Sequence, residues 1–135
     1  MDAIALRLKP QQDLRVELEA FVQKQSIEAG YVITCVGSLT KAVLRLADQS
    51  AATQYEGKFE IVSLTGILST QGSHCHIAIA DPTGKTIGGH LMNGSLIYTT
   101  AEIVIGVLPN LSFKRELDPA TGYRELTIYA TTKEN

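Results

Sequence analysis

Gly72-Ser73-His74-Cys75-His76-Ile77-Ala78-Ile79-Ala80-Asp81-Pro82-Thr83-Gly84-Lys85-Thr86-Ile87-Gly88-Gly89-His90-Leu91 holds a strand, a turn and a returning segment. His74 to Ala80 reads as a strand, because apolar side chains recur along it without a breaker. Asp81-Pro82-Thr83-Gly84 supplies the turn: Pro82 presets φ, and Gly84 tolerates backbone that other residues avoid. If that turn folds the chain into a hairpin, His90 returns toward His74 and His76. On a strand, side chains at i and i+2 share a face, so His74 and His76 point one way and Cys75 the other.

Outward from this stretch, most of the chain also reads as strand. Phe59 to Leu68 is a long strand, and Gly66 inside it suggests a bulge or bend. Asp48 to Tyr55 is polar and reads as a loop. Lys41 to Ala47 and Tyr31 to Val36 are two further strands, with Gly37-Ser38 ending the earlier one. On the C-terminal side, Leu96 to Leu108 is a long strand region. Leu111 to Leu117 and Tyr123 to Ala130 flank the hairpin loop Asp118-Pro119-Ala120-Thr121-Gly122. Thr131 to Asn135 is a polar tail expected to fray.

The N-terminal part holds one strand and one helix. Ile4, Leu6 and Leu8 alternate along Ala3 to Leu8, which predicts a half-buried strand. Lys9-Pro10 ends it, and Asp13 can cap a helix. Leu14, Leu18, Phe21, Val22 and Gln25 follow helical spacing, with Gly30 as the expected stop. One helix among many strands joined by short turns implies an α+β fold. It would be a mostly antiparallel sheet with the amphipathic helix packed on it, forming a single domain over 1–135.

Composition narrows the function. The 135 residues are 44% hydrophobic and 19% charged, as in an ordinary globular chain. The net charge of −2 argues against a broad phosphate-binding surface. The densest basic point, Lys114-Arg115, is flanked by Glu116 and Asp118 and reads as a solvated strand face. Cys35 and Cys75 lack metal-site or disulfide-framework spacing, and Cys35 reads as a small apolar residue. The start shows no secretory pattern, and no apolar run reaches membrane-spanning length, so cytoplasmic residence with free thiols and no membrane partner is expected.

All three histidines fall within residues 74–90. Two imidazoles on one face with a third nearby suit Zn²⁺ or another divalent transition metal and leave one coordination position open. The alternative is a set of half-buried histidines bonded to backbone. Gly88 and Gly89 would let the backbone approach closely beside the site. Glu60 and Glu102 sit inside apolar strand runs; each is a candidate ligand or general base, or simply faces solvent. No nucleophile elbow or Walker loop is present.

Gly72 to Ile77, then Asp81 to Gly84, then Gly88 to Leu91 together resemble the centre of PPC (plants and prokaryotes conserved) domains. Gly57 to Gly66 is similar to the segment that plant members carry as Gly-Arg-Phe-Glu-Ile-Leu, with Lys58 and Val62 replacing its Arg and last Leu. The resemblance extends over nearly the whole chain. It implies a homotrimer, metal ligation by His74, His76 and His90, and partner contacts through Gly57, Lys58, Phe59, Glu60, Ile61 and Val62, including contacts with a regulatory protein. In plant AT-hook nuclear proteins the domain follows a DNA-binding hook; this chain has no Arg-Gly-Arg-Pro core.

Three functions are therefore open. One is a metal-holding binding or assembly module. The second is a metal-dependent enzyme on a small molecule, with Glu60 or Glu102 as base. The third is a DNA-binding regulator, which rests on family association alone.

Overall fold

The computed structural model describes residues 2–131. In chain order the elements are β1 (Asp2–Leu8), α1 (Leu14–Lys24), β2 (Gly30–Arg45), β3 (Thr53–Leu68), β4 (His74–Ala80), β5 (Thr86–Leu91), β6 (Leu96–Val107), β7 (Leu111–Leu117) and β8 (Arg124–Ala130). Every pairing between named strands is antiparallel. This is the mostly antiparallel α+β architecture that the sequence implies.

Six strands form one sheet in the order β1-β6-β2-β3-β4-β5. The far edge then returns, because β5 also pairs with the end of β2 through Leu44–Leu91 and Arg45–His90. β2, β3, β4 and β5 thus close on themselves. β7 and β8 pair only with each other in a separate ribbon.

The core lies between the sheet and α1. Leu14, Leu18 and Val22 recur on one helical face and are buried, alongside Leu39, Leu44, Ile79, Ile97, Ile103 and Ile105 from the strands. Asp13 starts the helix as expected: its Oδ1 accepts from the Arg15 and Val16 amides at 3.1 and 3.2 Å. Its Oδ2 accepts from the Gly94 amide at 2.6 Å, which ties the helix start to the β5–β6 turn.

Four local expectations are corrected. The helix ends at Lys24 rather than running to Gly30, and Ser26 just beyond it takes a positive φ of 53°. Gly37-Ser38 does not end a strand: β2 is continuous. A Cβ on Gly37 would lie 2.2 Å from the Thr100 carbonyl oxygen, so this glycine admits β6 rather than stopping β2. The polar loop is shorter than Asp48 to Tyr55, since β3 begins at Thr53. Gly66 marks no bulge; the register shift in β3 against β4 lies at Ile61/Ser63. Gly66 instead leaves room for Cys75, whose Sγ would be 2.6 Å from a Cβ there. Most of the expected frayed tail, residues 132–135, lies outside the described residues. No helix among the described residues is long and apolar enough to cross a membrane.

Candidate metal centre and its cleft

The β4–β5 hairpin forms as its turn chemistry dictates. Asp81 Oδ1 accepts from the Thr83 amide at 2.8 Å, the Thr83 hydroxyl at 2.6 Å and the Lys85 amide at 3.1 Å. These bonds hold the Asp81 carboxyl below its usual pKa, the Thr83 hydroxyl contributing most. Gly84 has φ 84°, in the region that favours glycine.

That register sets His76 directly opposite His90, and β2 in turn sets Arg45 opposite His90. Arg45, His90 and His76 therefore form a row across three adjacent strands, spaced about 4.8 Å per strand. His74 lies two residues along β4, on the same face as His76. Cys75 points the other way and is buried. Such closeness depends on Gly88 and Gly89. A Cβ on Gly88 would lie 2.8 Å from the Ile77 carbonyl oxygen, and one on Gly89 2.8 Å from that of Arg45. β5 fits between β4 and β2 because both positions lack side chains.

The three imidazoles converge. His74 Nε2 and His76 Nε2 are 3.1 Å apart. The ring centroids of His74 and His90 are 4.9 Å apart, and those of His76 and His90 5.7 Å. One ligating nitrogen from each residue lies within 4.8 Å of the others. For Zn–N bonds of about 2.0–2.1 Å in tetrahedral geometry, nitrogens sit about 3.3 Å apart. The His74–His76 pair comes close to that spacing at 3.1 Å, and the third nitrogen lies within 4.8 Å of both.

Electrostatics favour the uncharged form that ligation needs. Partial burial, then the neighbouring His76 and Arg115, lower the pKa of His74. Partial burial, then His74 and Arg45, lower that of His90 to about 4. Both rings are neutral at physiological pH, with lone pairs available to a cation. Cys35 and Cys75 are pushed up to about 11, chiefly by burial, and stay thiols.

The histidines open onto a cleft of about 1040 Å³. Part of its lining is Arg45, the last residue of β2, and the segment that follows it to Ser50. Another part is the β7–β8 hairpin, through Arg115, Tyr123, Arg124 and Glu125. The basic pair Lys114-Arg115 thus divides. Lys114 is exposed, with Nζ 5.2 Å from the Tyr129 ring centroid, whereas Arg115 is half-buried and faces the cleft. The sequence reading missed Arg45, Arg115 and Arg124. Only strand alternation separates Arg115 from Lys114, and no local pattern shows that the ribbon borders the histidines.

Glu60 and Glu102 are not brought to this site. Glu60 lies opposite Ala80, at the far end of β4 from His74, and accepts a hydrogen bond from the Ser38 hydroxyl at 3.2 Å. Glu102 lies opposite Arg7 and Val36, between β1 and β2. Within Gly57 to Val62, Ile61 is buried and Phe59 packs on the core. Lys58, Glu60 and Val62 face outward, with the Lys58 ammonium 5.0 Å from the Tyr98 ring centroid.

Fold and site together define a small antiparallel α+β domain that presents three imidazoles at an open cleft. Residues 1–109 match the family model of the Plants and Prokaryotes Conserved domain (abbreviated PCC or PPC), and the chain belongs to this family. Over 123 residues it is 52% identical to the bifunctional protein GlmU of Synechococcus sp. (strain JA-3-3Ab), covering 91% of this chain. The chain spans only 20% of that relative's length. It is 27% identical over 117 residues to AT-hook motif nuclear-localized protein 2 of Arabidopsis thaliana, covering 80% of this chain and 35% of that protein. A solved structure of a hypothetical protein from Salmonella enterica superposes with a TM-score of 0.95 at 44% identity, covering 97% of this chain and 95% of that one. A metal-containing protein from Archaeoglobus fulgidus superposes with a TM-score of 0.78 at 26% identity, covering 94% of each chain.

Proposed function

We propose that this chain is a metal-holding binding module of its family, with His74, His76 and His90 as ligands to zinc or another divalent transition metal. The observation that carries this reading is the convergence of three ligating nitrogens within 4.8 Å on one hairpin face. The likeness to a metal-containing protein of the same fold supports it. A bound ion would supply Lewis acidity and one open coordination position toward the cleft. The chain's part is to hold the three rings close and to favour the neutral form of His74 and His90. In this reading the module works as a homotrimer, as the family resemblance implies. Lys58, Glu60 and Val62 are the side chains of the Gly57 to Val62 segment available to a second copy or a regulatory protein.

A second reading, a metal-dependent enzyme on a small molecule, is favoured by the cleft beside the rings. Within one chain its base would come from the cleft wall, where Glu125 stands, rather than from Glu60 or Glu102. DNA binding draws support only from the names of relatives such as the AT-hook protein, against a net charge of −2.

The test is metal analysis of purified, tag-free protein beside His74→Ala/His76→Ala. Near-stoichiometric metal in the wild type and loss in the double variant is the expected result. A wild type that holds none after zinc loading and dialysis overturns the metal reading. Light scattering decides assembly separately, and a monomer at micromolar concentration overturns the trimer.

A further inference from the structure

The cleft carries more positive charge than the rest of the chain explains. Three guanidiniums line it (Arg45, Arg115 and Arg124) against two carboxylates (Asp48 and Glu125), a surplus of one positive charge. The chain as a whole is at −2. Among the described residues the one ion pair is Arg15 with Glu19, on the helix, so none of the three cleft arginines is neutralised by a close carboxylate. Unpaired guanidiniums gathered at one concave place raise the local positive potential and draw anions to it.

Their placement is built into the fold. Arg45 stands opposite His90 in the β2–β5 register, and side chains so paired have Cβ atoms about 5 Å apart. Arg115 reaches from the β7–β8 ribbon to the loop just before the histidine strand: its Cγ lies 3.3 Å from where a Cβ on Gly72 would sit. A larger residue at Gly72 would crowd it. Arg124 comes from the facing strand of the same ribbon. The arginines thus come from the end of β2 and from the β7–β8 ribbon, and line one cleft with the imidazoles.

We propose that this cleft receives a small molecule through a phosphate or carboxylate group. Arg45 and Arg115 hold the oxyanion, Arg124 stands beside them, and one anion oxygen would be available to a metal held by His74, His76 and His90. The planar guanidinium fork suits both oxyanions. The volume of about 1040 Å³ matches a small-molecule site. The metal contact rests on the proposed metal site; the arginine contacts do not. Arg115 and Arg124 lie beyond residues 1–109, the part that matches the family model, so the ribbon adds charge selectivity to a family core.

The test is calorimetric titration with two probes, inorganic phosphate and malonate, into zinc-loaded and metal-free protein, with zinc content measured on every sample. Arg45→Gln and Arg115→Gln are compared with wild type and with Lys85→Gln, at the exposed turn, as control. Saturable binding to wild type, weakened roughly tenfold or more by either arginine change at unchanged zinc content, is the expected result. The stronger probe identifies the anion class. If neither probe binds zinc-loaded protein, or binds it equally in both arginine variants, the anion site is overturned while the metal site stands. If wild type holds no zinc, the metal reading fails, and the metal-free titration alone decides the arginine site. Two separate arginine variants, each checked by its melting curve, keep a folding defect in one from deciding the outcome.

Discussion

Two hairpins meet at the cleft, and they are made by nearly the same turn. The β4–β5 turn runs Asp81-Pro82-Thr83-Gly84, and the β7–β8 turn Asp118-Pro119-Ala120-Thr121-Gly122. In each, the aspartate Oδ1 accepts from the amide two residues on, at 2.8 Å, and a glycine closes with positive φ, 84° and 76°. Their surroundings differ. β4–β5 has sheet on both sides, against β3 and β2, and buries Cys75, Ile77, Ile79 and Leu91. β7–β8 pairs with no other strand and leaves Leu117, Tyr123 and Ile128 exposed. Its main anchor is Phe113: the ring is buried, the amide donates to the Glu28 carbonyl at 2.9 Å, and the carbonyl accepts from the buried Ser69 hydroxyl at 2.7 Å. Turn chemistry thus makes a hairpin, but neighbouring strands decide whether it is framework or appendage. An isolated two-stranded ribbon is marginal by itself.

The strongest strain on this contrast is Phe113→Ala. It should cost about 3 kcal/mol of stability by urea denaturation, since a buried aromatic ring is deleted. Metal content should be retained, because the histidine hairpin does not depend on the ribbon. Loss of metal at full folding would show that the two hairpins are coupled. Gly89→Ala should follow at roughly 1–3 kcal/mol, because the added Cβ meets backbone that cannot swing away. Here metal affinity should fall as well, since β5 is forced off β2 and His90 moves with it. A Gly89→Ala protein with wild-type stability and metal content would break the argument that this glycine closes the sheet.

Acid should separate the hairpins too. In metal-free protein, His90 has a folded pKa of about 4 against 6.5 for the free side chain, and His74 is lowered in the same direction. The unfolded chain therefore takes up these protons first, and stability should fall as pH drops from about 6.5 toward 4. His90→Gln should flatten that slope in a series of denaturation curves at fixed ionic strength. An unchanged slope would place the acid sensitivity elsewhere. Leu117→Ser, on the exposed ribbon, should change stability by less than about 0.5 kcal/mol. A larger loss would mean that a second copy or another surface covers Leu117.

Much of this was legible residue by residue. The Asp13 cap, the apolar face of α1, the limits of β4 and the shared face of His74 and His76 all follow from interactions spanning a few positions. Glycines were legible only as signals, not in meaning. Gly37 reads locally as a strand end and Gly66 as a bulge, yet one admits the backbone of β6 and the other the sulfur of Cys75. Neither neighbour lies next to its glycine in sequence: Thr100 is on β6, and Cys75 is on β4, across the strand pair from Gly66. The basic pair Lys114-Arg115 shows the same limit, since alternation sends the two side chains apart but cannot say that only one meets a cleft.

What the sequence by itself determined is therefore local: period-two alternation, caps, turns and the pairing of two imidazoles on one face, all governed by backbone geometry within a turn or two. Tertiary structure alone decided that β5 returns to β2, which sets Arg45 beside His90, and that the β7–β8 ribbon brings Arg115 and Arg124 over the histidines. Those contacts join residues tens of positions apart. They depend on which faces bury together across the whole sheet, a sum no short stretch of chain contains.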